Sequence, residues 1–440
     1  MKLSVYVLGR DVATLEPVGD FKSVLTYHSH TAPEDFVSLT MPVRTESYVW
    51  DAPLHPIFQM NLPEGYLLQI LQEKFGPEIG ASPTALLSVV GRNMVGRIQV
   101  APPGAKLDEP PQPLEVAELL QGDNSEEAFA ELVRQHATSG VSGVVPKFLD
   151  SQEEPAGFDA YKKTTLFSHR HIIKGSSHQL PYVALNEHLC MQVVSKVLPA
   201  AKTEVSQDGR ALVVHRFDVD KDGKPHYGME DFCVLLGLAS ASKYETTWER
   251  IAKAIRDHVP GGDQLEAFRQ LASTLLLTYA LRNADCHAKN LALLYTSRTD
   301  VRLSPVYDML TTAVYAAPSH PGISFGGKKT WAPGKNLQKF IASHFGIPLR
   351  EQAVMVEAIS DAVSDTLPLV RTAMTDHVGF RDIGKRQTIA WGEGVAGLRD
   401  QRIYALGPWK SAEVLEGISD PPKLKSSKTV IGRSEGLGPR

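Results

Sequence analysis

Cysteine is scarce in this 440-residue chain: Cys190, Cys233 and Cys286 are the whole set. Three is an odd number and no pair has metal-site spacing. Neither a disulfide framework nor a cysteine metal site is expected, and the chain reads as reduced and cytoplasmic. Net charge is small as well, at −4. That removes an overall basic field aimed at nucleic acid or a membrane surface. Long apolar runs are missing. The longest, Leu271 to Leu281, falls short of the roughly 20 residues that a membrane-spanning helix needs. Met1 to Arg10 is too short and too soon charged for a signal peptide. No internal repeat of fixed period is present. What remains is an ordinary globular composition, 42% apolar and 22% charged, at a length suited to about two or three domains.

Residues 1–101 read as a small α+β unit. Leu3, Val5 and Val7 alternate, Gly9-Arg10-Asp11 can turn, and Val12 to Leu15 can return as a second strand. Val37 to Met41 is another short apolar run, closed by Pro42. Leu67, Ile70, Leu71 and Phe75 give Tyr66–Phe75 a helical face. Arg97 to Val100 reads as a strand. Five prolines mark residues 102–113 as a linker. Residues 114–230 alternate short strands and helices, residues 231–405 look mainly helical, and residues 406–440 read as a mobile tail.

The stretch that carries chemistry is Arg282-Asn283-Ala284-Asp285-Cys286-His287-Ala288-Lys289-Asn290. An Asp five residues ahead of an Asn is the spacing of a protein-kinase catalytic loop. There the Asp accepts the proton of the attacking hydroxyl and the Asn holds magnesium. Asp308 follows eighteen residues beyond Asn290, after the short strand-like run Val301 to Pro305, where a kinase keeps its second metal ligand. Upstream, His171-Ile172-Ile173-Lys174 resembles the strand of the phosphate-binding lysine. Leu185 to Leu198 reads as a helix with Glu187 on the face of Cys190, Met191, Val194 and Leu198. An acid there is costly unless paired, and Lys174 is a reasonable partner; the plainer alternative is an edge acid reaching water.

Gly140 to Lys147 is a glycine-rich loop whose amides could approach an anion, or a plain surface turn. Ala211 to Asp218 reads as a buried strand leading into polar residues, the place of an adenine-gripping hinge. Leu265, Phe268, Leu271, Ala272, Leu275, Leu276, Tyr279 and Ala280 form an apolar stripe that would support the loop. Lys328 and Lys329 sit in a small basic loop, read first as solvated surface and second as a phosphate-backbone contact to DNA.

With these residues in view, the chain resembles the HipA family, bacterial serine/threonine kinases that are the toxins of toxin–antitoxin pairs. The specific marks are Asp285 to Asn290, similar to D-G-H-A-K-N, and Leu303 to Asp308, similar to L-x-P-x-Y-D. Lys174 with its strand, Arg216-Phe217-Asp218, Glu230 to Cys233, Lys243-Tyr244, Leu62 to Gly65, and Val90 to Arg92 with Val95-Gly96 also fit. The resemblance implies an α+β, two-lobed protein-kinase-like fold, with a mixed N-lobe (114–230), a mainly helical C-lobe (231–405) and an extra N-terminal subdomain.

It further implies ATP and Mg2+ as cofactors, Asp285 as catalytic base, and Asn290 and Asp308 as metal ligands. Lys174 would contact the phosphates, paired with Glu187. His215, Arg216 and Phe217 would contact adenine. His287, Ala288, Lys289 and Tyr307 would line the nucleotide site, and Ser142, Gly143, Val144, Val145, Pro146 and Lys147 would cover the phosphates. The implied partners are a protein substrate such as an aminoacyl-tRNA synthetase, and a helix-turn-helix antitoxin that brings operator DNA, with no membrane. The sequence departs from the family where Gly140 replaces the first loop serine, Val145 the glutamine, and His215 an acid. Ser142 is therefore the first candidate for autophosphorylation and Ser139 the second.

Two alternatives stay open beside the protein kinase. Asp285-x-His287-x-x-Asn290 also resembles the loop of phosphoinositide kinases, which suits a lipid or small-molecule acceptor. A non-catalytic co-repressor that bridges DNA-bound antitoxin is the other. A metallohydrolase lacks a third ligand near Asp285 and His287, and Cys286 beside an acid gains no help in forming thiolate.

Overall fold

The structure is a computed structural model that describes residues 1–62, 82–107, 116–138, 164–168, 170–315, 320–331 and 334–399, with Tyr404, Leu406, Gly407 and Trp409. The helix expected over Tyr66–Phe75 and the glycine-rich loop with Ser139, Ser142 and Lys147 lie outside these residues.

The N-terminal part is a five-stranded antiparallel sheet. Its strands are β1 (Leu3–Val7), β2 (Arg10–Val18), β3 (Lys22–Tyr27), β4 (Tyr48–Trp50) and β5 (Ile98–Ala101), in the order β4-β3-β2-β1-β5. Leu3, Val5 and Val7 face one core, as their alternation predicts. The turn is tighter than expected. Leu8 and Gly9 both take positive φ (49° and 76°), the twist a two-residue hairpin requires, so Arg10 and Asp11 already belong to β2. Val37 to Met41 forms no strand. Val37 and Met41 enter the core, while Ser38 Oγ and the Leu39 amide donate to the Glu230 carboxylate at 2.8 and 2.7 Å.

A second sheet contains β6 (Thr164–Phe167), β7 (His171–Gly175), β8 (Thr203–Val205) and β9 (Ala211–His215), in the order β6-β7-β9-β8. Its two faces follow the period of two. Leu212 and Val214 pack with the helix Val183–Val194. Ile173, Ala211 and Val213 pack with Leu119 and Phe129 of the helices Val116–Gln121 and Glu126–Thr138. The helix Val183–Val194 stops short of Leu198, because Ser195 to Val197 turn.

The third part is mainly helical around a small sheet of β10 (Gly228–Asp231), β11 (Ala292–Ser297) and β12 (Asp300–Leu303). The helices Trp248–His258, Gln264–Ala280, Leu349–Asp376 and Arg381–Leu398 share one large core with the helix Val183–Val194. The predicted stripe holds from Phe268 onward, whereas Leu265, in the first turn of its helix, is exposed. Gly394 lets the Arg381–Leu398 helix reach the end of the Gln264–Ala280 helix. A Cβ there would lie only 2.1 Å from the Ala280 carbonyl oxygen. Among the described residues no helix is long and apolar enough to cross a membrane.

Candidate active site

Lys174 and Glu187 meet as the sequence predicts. Ile173 points into the outer core of the second sheet, so Lys174, the next residue, points to the opposite face. There its Nζ lies 2.6 Å from Glu187 Oε1 and 2.6 Å from Asp308 Oδ1. Glu187 is almost fully buried, at 1% exposure. A buried carboxylate without a cation would be strongly disfavoured. Asp308 reaches this point from a left-handed backbone (φ 58°), a conformation that Asp tolerates better than most residues.

The loop that carries Asp285 is held by its neighbours. The Gln264–Ala280 helix ends, and Arg282 turns the chain at φ 54°. The Asn283 amide donates to the Thr278 carbonyl at 3.0 Å, and Asn283 Oδ1 accepts the Asp285 amide at 2.9 Å. Thr312 Oγ1 accepts the Ala284 amide and donates to the Arg282 carbonyl, at 2.7 and 2.9 Å. Asn290 Nδ2 closes the turn on the Asp285 carbonyl at 2.8 Å.

The Asp285 carboxylate receives the Tyr244 hydroxyl on Oδ1 at 2.5 Å, and His287 Nε2 lies 3.7 Å from the same oxygen. His287 is buried, and that burial pushes its pKa well below the ordinary 6.5, so the ring is neutral near pH 7. Among the described residues its buried Nδ1 meets no hydrogen-bond partner. Burial raises the Cys286 thiol to about 12, in keeping with an inert cysteine. Ala288 is buried and donates its amide to the Lys243 carbonyl at 3.1 Å. The Tyr307 hydroxyl donates to the Lys289 carbonyl at 2.7 Å, and its ring lies 5.9 Å from that of Phe217.

Asp308 and Asn290 supply hard oxygen donors. Because Asn290 Nδ2 serves the Asp285 carbonyl, its Oδ1 is the amide atom left for a cation. One carboxylate and one amide oxygen, completed by phosphate and water, is the donor set that Mg2+ takes. Among the described residues no three His, Cys, Asp or Glu side chains are grouped to hold a metal by themselves.

The segment that follows β9, expected as an adenine hinge, is anchored in a way the sequence did not disclose. His215 Nε2 pairs with Glu204 Oε1 at 2.6 Å, and its ring meets that of His171 edge-on at 4.8 Å. An acid thus stands beside the position where an acid was expected, supplied by β8. Arg216 forks onto Asp218, with both side chains only 3% exposed. Arg216 Nη2 also donates to the Met94 carbonyl at 3.2 Å, and Asp218 Oδ2 accepts the Gly96 amide at 2.7 Å. The N-terminal sheet unit therefore grips the residues that follow β9.

Lys328 is exposed, but Lys329 is half-buried and turned inward, donating to the Tyr244 carbonyl at 3.2 Å. Sequence reasoning noticed Tyr244 only as part of a motif and gave it no role. Its contact spans 41 residues and leaves no local signal.

Residues 139–367 match the HipA-like C-terminal domain, and residues 3–101 match the HipA N-terminal domain. Two proteins of Sinorhizobium fredii with provisional kinase names are similar to this chain. Y4dM is 25% identical over 339 residues, covering 71% of this chain and 78% of that protein. Y4mE is 27% identical over 302 residues, covering 63% and 69%. A chain in the structure of the Shewanella oneidensis MR-1 toxin–antitoxin complex of HipA, HipB and operator DNA superposes with a TM-score of 0.67. Its identity is 16%, and the overlap covers 92% of this chain and 100% of that one, a likeness of fold. With one family domain spanning residues 139–367 and its N-terminal counterpart in front, the chain belongs to the HipA family.

Proposed function

We propose that this HipA-type kinase is an ATP- and Mg2+-dependent serine/threonine protein kinase that acts as a growth-inhibiting toxin. The observation that carries the reading is the meeting of Lys174, Glu187 and Asp308 within 2.6 Å contacts, with Asp285 and Asn290 fixed on one braced loop. Phosphoryl transfer asks a protein mainly to position groups and stabilise charge, and these residues divide that work. The second sheet with its helices forms an N-lobe, the helical part a C-lobe, and the nucleotide lies between them.

Lys174 holds the phosphates, and Glu187 keeps its ammonium aimed at them. Asp308 and Asn290 Oδ1 hold Mg2+, which when bound neutralises phosphate charge. Asp285 accepts the proton of the acceptor hydroxyl. Neutral His287, with Ala288, Lys289 and Tyr307, lines the nucleotide site without adding charge from its ring. The backbone of His215 to Phe217 grips adenine, so the His215 side chain is free to serve Glu204. Autophosphorylation falls in the glycine-rich segment, at Ser142 before Ser139. Intact-mass spectrometry after incubation with Mg–ATP reads this last point: an added phosphate that persists when both serines are replaced by alanine counts against it.

The acceptor is a protein of translation, of which an aminoacyl-tRNA synthetase is the family's example. The likeness to a complex containing HipB and operator DNA supports a small helix-turn-helix antitoxin as partner, with DNA reached through it. The site of action is the cytoplasm. Phosphoproteomics of cells expressing this chain, against an Asp285→Asn control, tests the reading. A phosphosite on a translation protein that needs Asp285, together with slowed growth, is the expected result. Equal growth inhibition by both forms, without such a site, would favour a non-catalytic co-repressor.

A further inference from the structure

We infer that Tyr244 is a positioning residue for the transfer, one that fixes the Asp285 carboxylate before an acceptor arrives. The inference rests on the reading of Asp285 as the base. The Tyr244 hydroxyl donates to Asp285 Oδ1 at 2.5 Å. Its ring stands edge-on to His287, with centroids 4.8 Å apart and planes at 77°. The segment bearing it is tied down twice more. The Lys243 carbonyl accepts the Ala288 amide at 3.1 Å, and the Tyr244 carbonyl accepts Lys329 Nζ at 3.2 Å. Residues 243 and 244 thus clasp the loop at Asp285, His287 and Ala288.

The physical need is specific. Asn283 and Asn290 hold the Asp285 backbone, and that leaves the rotation of its carboxylate to side-chain contacts. A general base works only within hydrogen-bond reach of its proton in one orientation. A donor on Oδ1 selects that orientation, so the acceptor meets a carboxylate already aimed. The Tyr244 hydroxyl acts on Asp285, the group that meets the acceptor and not the nucleotide, so its removal falls on the chemical step.

The opposite reading gives the same hydroxyl a blocking role: it would stand where the acceptor hydroxyl belongs, and removing it would speed the enzyme. Tyr244→Phe in the full chain separates the two, since Phe keeps the ring on His287 and removes only the hydroxyl. The expected result is a fall in kcat of roughly tenfold or more, with KM for ATP and nucleotide affinity held within about twofold. The double variant Tyr244→Phe, Asp285→Asn should be no slower than Asp285→Asn alone, because both act through one carboxylate. An unchanged or raised kcat would overturn the inference. So would a joint loss of kcat and nucleotide affinity, the mark of a structural role. A thermal-shift response to Mg–ATP shows that the variant is folded. If Asp285→Asn itself retained activity, the kinase reading would fall first; an inactive Asp285→Asn beside an unaffected Tyr244→Phe would sink only the positioning role.

Discussion

Lys174 Nζ lies 2.6 Å from Asp308 Oδ1, a contact that joins residues 134 positions apart. The same ammonium holds Glu187 Oε1 at 2.6 Å. One cation thus organises two acids, one from a buried helix and one from the segment after β12. Such a cluster does not stabilise a fold cheaply, since desolvation offsets much of the attraction. We therefore propose it as a prepared phosphate and metal site.

Lys174→Met should therefore cost stability as well as function. Glu187, at 1% exposure, would lose its cation, and breaking a buried pair from one side costs about 3–5 kcal/mol. Denaturant unfolding reads the first effect. Titration with a fluorescent nucleotide reads the second and should show no saturable binding. A variant as stable as the parent would mean that Glu187 does not depend on Lys174.

Gly96 should matter to the nucleotide site although it belongs to the N-terminal unit. Its amide donates to Asp218 at 2.7 Å, its φ is 90°, and a Cβ there would lie 3.1 Å from the Met229 backbone nitrogen. Gly96→Ala should lose about 1–3 kcal/mol through strain at this φ. By disturbing the Arg216–Asp218 fork it should also raise KM for ATP more than it lowers kcat. Melting curves and steady-state kinetics would check both parts; an unchanged KM would show that the hinge does not feel the N-terminal unit.

His55 gives a pH test of that same unit. Its Nδ1 accepts the Ile57 amide at 3.2 Å, capping the turn Pro56–Gln59, and burial lowers its pKa from 6.5 to about 4. The folded value lies below the unfolded one, so His55 contributes stability above pH 6.5 that is lost as pH falls toward 4. The full loss is on the order of 3 kcal/mol. His55→Asn keeps a capping oxygen and removes the titration. Melting temperatures at pH 7 and 4.5 should fall further for the parent than for the variant, and parallel declines would refute the assignment.

Much of the site was legible because its signals are local. Asp285 and Asn290 share one loop, Lys174 ends a β-branched run, and Glu187 stands out as an acid on an apolar helical face. The pairing of Lys174 with Glu187 followed from the cost of leaving that acid alone. Residues whose meaning arises from packing were not legible. Asp218 meets Gly96 across 122 positions, and Tyr244 meets Asp285 across 41. Lys329 read as surface because nothing in Gly326-Gly327-Lys328-Lys329 reveals that the chain folds back on Tyr244. Val37 to Met41 reads only as a short apolar run, and nothing in it reveals that the Ser38 hydroxyl and the Leu39 amide reach Glu230, a residue of another sheet. The Gly9–Asp11 turn was placed late because Leu8, a residue that rarely adopts positive φ, joins Gly9 in the hairpin.

The central claim is that Asp285 serves as base in phosphoryl transfer while Lys174, Asn290 and Asp308 hold the nucleotide. The most direct measurement takes purified parent and Asp285→Asn proteins and follows transfer of the ATP γ-phosphate to protein, alongside nucleotide affinity. Removing a general base costs about 10²–10⁴-fold. The account predicts a loss of transfer of that size or larger, with affinity for Mg–ATP changed by less than about threefold, since the Asp acts on the acceptor hydroxyl. Transfer by Asp285→Asn at a rate near that of the parent would contradict it.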